Sequence, residues 1–156
     1  MLTLFEAMNR TALSLAIRDS LWMVGVINAM HLLSVVMFVG AVLIVDLRLL
    51  GPEADDPPLS QVARDAHPWL IAGLIGLTVT GIPQMMTNAL REYHSYLFWT
   101  KMAILAVALI YTFTLRRTVT QATTPVAPSA RKAVGVVSIA LWVAVLIPAR
   151  LIGLFT

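Results

Sequence analysis

The sequence contains no cysteine in 156 residues, and only 12% of its side chains are charged. The lack of thiols excludes disulfides, iron–sulfur clusters, thiolate zinc sites and covalent c-type haem attachment. The scarcity of charge, together with 59% apolar residues and a mean hydropathy of +0.85, excludes both a soluble domain and a disordered chain. Any redox or metal chemistry must therefore use His, Met, Lys or carboxylate side chains, or a non-covalent cofactor.

The apolar residues are grouped in four long runs. These runs do not alternate with polar residues and exceed about ten residues, which favours helices over the strands of a barrel. The longest uncharged run, from Leu21 to Val45, exceeds the roughly 20 residues that an α-helix needs to cross a bilayer. The predicted fold is all-α, an integral membrane four-helix bundle with spans at about 21–46, 67–89, 96–115 and 133–149.

The first 18 residues predict an amphipathic helix that lies on the membrane surface or packs across the bundle. Its apolar stripe consists of Leu4, Phe5, Met8, Ala12, Leu15 and Ala16. Residues 19–156 then form the four-span membrane domain, and Asp19-Ser20 is a plausible N-cap for the first span. The net charge of +3 lies mostly in short loops, so it needs no nucleic acid to explain it.

The loops predict the orientation of the chain. At the end of the first span Asp46 and Arg48 are expected to meet water, followed by an acidic, proline-rich turn at 53–58. The side that holds the first and third connections carries six basic residues against four on the other side. The six are Arg48, Arg64, Arg116, Arg117, Arg131 and Lys132. We therefore expect these connections to be cytoplasmic in a bacterial inner membrane, with both chain ends periplasmic.

His31 is a titratable residue inside the first span, and Asn28 lies three positions before it on the same helical face. Such a group in a bilayer normally has a partner, a cofactor or a water path. One interpretation is a hydrogen bond to Asn28, to Ser34 or to a polar residue of another span. The other is axial ligation of a b-type haem, with Asn28 or a backbone carbonyl orienting the imidazole.

Helix rise restricts the partners of His31. The residue lies about 15 Å deep, whereas His67 enters from the opposite face, which leaves the two on the order of 20 Å apart in height. His94 and Lys101 are on the same side as His31. Lys101 either snorkels to the interface or holds its charge toward the site, where it would pair with a haem propionate or a quinone oxygen.

The methionines indicate an alternative to haem, which is a copper site. Five of them fall in the half of the membrane that contains the chain ends: Met23, Met30, Met85, Met86 and Met102. Thioethers and imidazoles suit Cu(I), with His31 and His94 as the histidine ligands. Methionine is more often packing material in apolar helices.

Several short motifs resemble those of an uncharacterised group of bacterial four-helix membrane proteins. The motifs are His-Leu-Leu at 31–33, Val-Asp-Leu-Arg-Leu-Leu-Gly at 45–51, Pro68-Trp69, Thr80-Gly81 and Phe98-Trp99-Thr100-Lys101. More distantly, a histidine in the first span with a lysine early in the third is similar to the copper-resistance D membrane domain and the membrane-bound protoporphyrinogen oxidase that carries haem b. The resemblance implies haem or copper at His31, with Lys101 as the matching basic residue.

Three functions are compatible with these features. The first is a b-type haem protein that moves electrons between quinol and a partner, or anchors a larger redox complex. The second is a copper-handling membrane protein, and the third a cofactor-free packing subunit of a membrane complex. The chain has little outside the membrane for a separate catalytic domain, so any enzyme would be a haem-dependent membrane oxidoreductase. Small residues at Ala72, Gly76 and Thr80, with Gly73 beside them, predict a close helix contact and are compatible with self-association.

Overall fold

The computed structural model describes residues 2–51, 57–122, 124 and 126–155, without the side chains of residues 2, 4 and 150–155. Most of the acidic turn predicted at 53–58 lies outside these ranges. Every regular element within them is helical, which confirms the all-α prediction. The helices are α1 Leu2–Asn9, α2 Ala12–Arg18, α3 Leu21–Leu50, α4 Leu59–Thr87, α5 Ala89–His94, α6 Tyr96–Tyr111, α7 Arg117–Thr120 and α8 Pro128–Phe155.

Four helical stretches are long and apolar enough to cross a membrane, as the sequence predicts. They are Leu21–Leu50, Leu59–Thr87, Tyr96–Thr120 and Pro128–Ala149. In the third stretch, a π-helical turn at Thr112–Arg116 joins α6 to α7. Each stretch extends past the predicted span at one end, because helices continue into the interfacial region where charged residues appear, whereas the second stretch ends at Thr87, just before the predicted limit of 89. The protein is therefore a multi-pass membrane protein by fold.

Polar side chains determine where the first helices begin. Ser20 Oγ accepts a hydrogen bond from the Met23 amide at 3.4 Å, which confirms the predicted N-cap of α3. Thr11 Oγ1 likewise accepts from the Ser14 amide at 3.2 Å. This second cap divides the N-terminal segment into α1 and α2, where the sequence predicted one helix.

The two N-terminal helices pack across the end of the bundle, one of the two placements that the sequence allows. Phe5 of α1 is buried with Ala89 and Phe98. Ser14 of α2 is fully buried, and its hydroxyl donates to the Met86 carbonyl at 3.1 Å. These contacts fix α2 beside the end of α4.

Helices α3 and α4 approach closely through glycine. A Cβ added at Gly73 would lie 2.7 Å from the Phe38 backbone nitrogen, and one at Gly76 would overlap Ser34 Oγ. The predicted small-residue contact is therefore present. Its face runs through Gly73 and Gly76, whereas Ala72 is exposed.

We expect Gly73→Ala to destabilise the bundle by about 1–3 kcal/mol, because the added methyl group must push α4 away from the α3 backbone. Gly25→Ala is the matched control, since a Cβ at Gly25 meets nothing within 4 Å. That control should be neutral or slightly stabilising, because alanine favours helix over glycine. Thermal unfolding in detergent measures both variants, and equal midpoints would contradict the close contact.

The structure corrects the expectation that Asp46 meets water. Asp46 is fully buried and Arg116 is 5% exposed, and Arg116 Nε donates to Asp46 Oδ1 at 2.6 Å. A second donor, Arg116 Nη2, lies 2.8 Å from the Val42 carbonyl. Both charges lie inside the bundle because α3 and the third stretch continue as helices past the predicted ends. Because Arg116 is buried in the bundle, it no longer counts as a loop residue. The side with the first and third connections then has five basic residues, against four on the other side.

Candidate functional site

A cavity of about 650 Å³ lies at the end of the bundle near the chain termini, and α5 contributes to its wall. Ligand sites in proteins have volumes of roughly 300–1,000 Å³. The cavity is therefore large enough for a cofactor. Its walls are formed by Ile17, Val24, Ile27, Asn28, His31, Leu32, Val35, Gln84, Thr87, Asn88, Arg91, Glu92, Ser95, Lys101, Leu146 and Ala149.

The cavity has an apolar wall and a polar wall. Most apolar side chains come from α2, α3 and α8, and α3 also contributes the polar side chains of Asn28 and His31. Polar and charged side chains come from the end of α4, from α5 and from the start of α6, where the chain reaches the membrane interface. Polar residues are tolerated there because water and headgroups solvate them. The cavity thus suits a ligand that has one apolar part and one polar part.

His31 reaches the cavity from α3 and is held by α4. Its Nδ1 lies 2.8 Å from Thr80 Oγ1, and the Thr80 hydroxyl donates to the Gly76 carbonyl at 2.6 Å. A hydroxyl has one proton, so Thr80 accepts a hydrogen bond from the Nδ1–H group of His31. This network assigns the Nδ1–H tautomer and leaves a lone pair on Nε2.

Gly81 provides space for the imidazole. A Cβ at this position would lie 3.4 Å from His31 Cε1, so the ring packs against the α4 backbone. Within the described part of the chain, Nε2 makes no hydrogen bond, and His31 lines the cavity. One imidazole nitrogen is therefore fixed by a protein acceptor and the other is available, an arrangement that histidines ligating a metal also have.

The three predicted cofactor-binding residues line one cavity. Asn28, His31 and Lys101 are all part of its wall, although they belong to two different spans. The role of orienting the imidazole, which was predicted for Asn28 or a backbone carbonyl, falls to Thr80. The Lys101 ammonium also lies 6.0 Å from the centroid of the Phe98 ring, at the outer limit of a cation–π contact.

The other two histidines do not join His31. His94, predicted as a metal ligand, is exposed, and its Nδ1–H donates to the Leu90 carbonyl at 2.8 Å. His67 lines a small recess with Arg116, away from the cavity. No methionine lines the cavity, and no group of three or more His, Cys, Asp or Glu residues could hold a metal ion in the described ranges.

Glu92 is a cavity residue that the sequence interpretation missed. It lies on α5 with its side chain partly buried, in the same wall as Lys101. Burial raises the pKa of Glu92 above its ordinary value, and the nearby Lys101 ammonium offsets part of that rise. In the sequence, Glu92 is one polar residue in a short polar connection, so no periodic pattern distinguishes it.

The fold and the cavity define a class: a small multi-pass helical membrane protein whose first span presents a histidine to an amphiphilic cavity. The chain belongs to a family of unknown function, DUF6644, whose model matches residues 21–155. The matched region begins with α3, so it contains all four spans. No curated protein and no solved structure matches the chain. The expected uncharacterised family is thus confirmed, whereas no similarity to copper-resistance D or to protoporphyrinogen oxidase is found.

Proposed function

We propose that this protein binds b-type haem in the cavity through His31 and serves electron transfer in a bacterial inner membrane, with its chain ends periplasmic. The observation that carries the proposal is the geometry of His31. Thr80 holds the ring in one tautomer, and the available Nε2 belongs to a side chain in the wall of a cavity of about 650 Å³. Neutral imidazole with a fixed Nδ1–H group is a common haem ligand.

The two walls of the cavity fit the chemistry of haem. Aliphatic side chains such as Ile27, Leu32 and Leu146 suit an apolar macrocycle, and the cations Lys101 and Arg91 suit its carboxylates. Among the described residues of the wall, His31 is the one imidazole, so the proposed site has a single histidine ligand. Bound haem supplies one-electron chemistry. The protein supplies the ligand, its orientation and the counter-charges.

The cofactor-free alternative also accounts for the bond between His31 and Thr80, because packing subunits use such bonds between helices. It gives no role to the cavity of about 650 Å³ whose wall combines His31 with the charged side chains of Arg91 and Lys101. No observation favours the copper alternative, because His94 and the five methionines are not in the cavity wall. Exchange of electrons with quinol, anchoring of a redox complex and self-association stay predictions.

The test is a dithionite-reduced minus oxidised absorption spectrum of the detergent-purified protein, expressed with haem supplied. We expect a b-type signal in the wild type and at least a tenfold loss in His31→Ala, because the variant has no axial ligand. His94→Ala is the matched control and should retain the signal, since His94 is exposed and outside the cavity wall. A colourless wild type would refute the proposal. Full haem content in His31→Ala would refute the assigned ligand.

A further inference from the structure

Among the described residues, Glu92 is the one carboxylate in the wall of the cavity. It projects from α5, a six-residue helix that the chain forms between the second and third spans. Its side chain is partly buried, and its strongest charged neighbour is Lys101 of α6. Arg91 lines the same cavity on the adjacent position of α5.

The elements packed against α5 determine which other charges surround Glu92. Helix α4 contributes the uncharged amides of Gln84 and Asn88 to the shared wall. Helix α3 contributes His31 across the cavity. The remaining charged or titratable side chains near this end, on α1 and the turn after it, on α5 and on α6, are Glu6, Arg10, Arg91, Tyr93, His94, Tyr96 and Lys101. Lys101 is the neighbour whose charge acts on the Glu92 carboxylate.

From this juxtaposition we propose that Glu92 is the redox-linked proton acceptor of the site, taking up one proton when the group bound at His31 gains one electron. The inference rests on the proposed haem function and adds a residue and a proton to it. The step balances as follows: a quinol donor is oxidised and gives up one electron to the group at His31, and one proton moves from water at the cavity to the Glu92 carboxylate. The total charge of the site is then unchanged.

Electrostatics gives the reason for the coupling. An added electron places a negative charge in a partly buried site, where charges interact more strongly than in water. That charge disfavours a nearby carboxylate and favours its protonated form. Glu92 is predisposed to this change because burial already raises its pKa, and Lys101 offsets the rise only in part. An ordinary exposed carboxylate would stay ionised in both redox states.

The inference is tested by the midpoint potential of the haem-loaded protein, measured as a function of pH. The potential should fall as pH rises, with a slope approaching about 59 mV per pH unit, the value for one proton per electron. Glu92→Gln removes the titrating group while keeping the shape of the side chain, so its slope should become nearly flat. Asp19→Asn, which removes an exposed carboxylate at the end of α2, is the matched control and should keep the wild-type slope.

Lys101→Met gives a second test with a definite sign. The Lys101 ammonium lowers the pKa of Glu92, so its removal should raise that pKa. The pH range over which the potential changes should therefore move to higher pH in this variant. A shift to lower pH would contradict the inference.

Infrared difference spectra of reduced minus oxidised protein should show a protonated carboxyl band that Glu92→Gln lacks.

The outcomes separate the two proposals. If the protein binds haem and Glu92→Gln keeps the full slope and the carboxyl band, Glu92 is not the acceptor, and the haem proposal stands. If the wild type binds no haem, both proposals are wrong. If the slope and the band are lost together in Glu92→Gln and kept in Asp19→Asn, the acceptor is identified.

Discussion

Arg116→Met should destabilise the bundle by about 3–5 kcal/mol, the usual cost of removing one partner from a buried ion pair. The variant leaves the Asp46 carboxylate inside the protein without its counter-charge. Asp46 is fully buried, and its Oδ1 atom accepts from Arg116 at 2.6 Å. The Val42 carbonyl loses its bond to the same guanidinium. Unfolding in mixed detergent, followed by circular dichroism, measures the loss.

Among the described residues, Arg116 is the one cation whose charge acts on the Asp46 carboxylate. Ser138 of α8 lies beside the carboxylate, but Asp46 Oδ2 and Ser138 Oγ are both buried without a hydrogen-bond partner among the described residues. A reorientation of Ser138 would supply one neutral hydrogen bond, worth about 0.5–1.5 kcal/mol. This gain is smaller than the cost of the unpaired charge, so the net effect stays destabilising.

Arg117→Met is the matched control, because it removes the same charge one position along the chain. Arg117 is exposed, and among the described residues its side chain makes one hydrogen bond, from Nε to Gln121 Oε1 just after α7, at 3.3 Å. We expect this variant to lie within about 0.5 kcal/mol of the wild type, as is usual for a surface substitution. Equal losses in Arg116→Met and Arg117→Met would show that the buried pair contributes nothing specific.

The double variant Asp46→Leu with Arg116→Met distinguishes attraction from desolvation. Replacing a whole buried pair by apolar residues is often neutral or stabilising, because neither charge has to leave water. We therefore expect the double variant to recover much of the stability that Arg116→Met loses. If it is as unstable as the single variant, the pair contributes directly by joining α3 to the third span.

The π-helical turn explains how Arg116 reaches this position. A π-turn inserts one residue into the helix and rotates the side chains that follow it. Thr112 and Arg116, at its two ends, are both buried, and Thr112 Oγ1 accepts from Trp142 Nε1 at 3.2 Å. Trp142 in turn packs edge-on against Phe38, with ring centroids 4.7 Å apart. The polar pair is thus connected to the main apolar core.

The sequence predicts the spans well because hydrophobicity and length are local properties. The N-cap of α3 and the glycine contact between α3 and α4 can also be predicted, since each depends on a residue type at a particular place. Asp46 and Arg116 are misread for the opposite reason. A charge near the end of an apolar run indicates a membrane boundary. Nothing in the neighbouring sequence shows that this charge has a partner 70 residues away.

The candidate site is predicted only in part, for the same physical reason. His31 stands out as a titratable residue in an apolar run, and Lys101 as a charge early in a span. Thr80 looks like a packing residue, because its bond to His31 joins positions 49 apart. Glu92 looks like a loop carboxylate until the fold places α5 over the cavity.

Thr80→Val should weaken haem binding by about 10- to 100-fold, the usual effect of removing the group that orients a histidine ligand. Valine keeps the branched shape but has no oxygen, so the Nδ1–H group of His31 loses its acceptor. The imidazole is then free to rotate or to place its proton on Nε2, where a proton blocks ligation. Titration of apo protein with haem, followed by absorbance, gives the affinity.

Two further variants separate orientation from packing. Thr78→Val removes an equivalent hydroxyl, which donates to the Leu74 carbonyl of the same helix at 2.9 Å and is exposed, so its affinity should match the wild type. Thr80→Ser restores an oxygen without the methyl group and should recover most of the affinity. If Thr80→Val binds haem as tightly as Thr78→Val, the Thr80 hydroxyl is not what holds the ring. If Thr80→Ser also binds weakly, the methyl group matters more than the hydrogen bond, and the close contact of α4 with α3 would be the feature that positions His31.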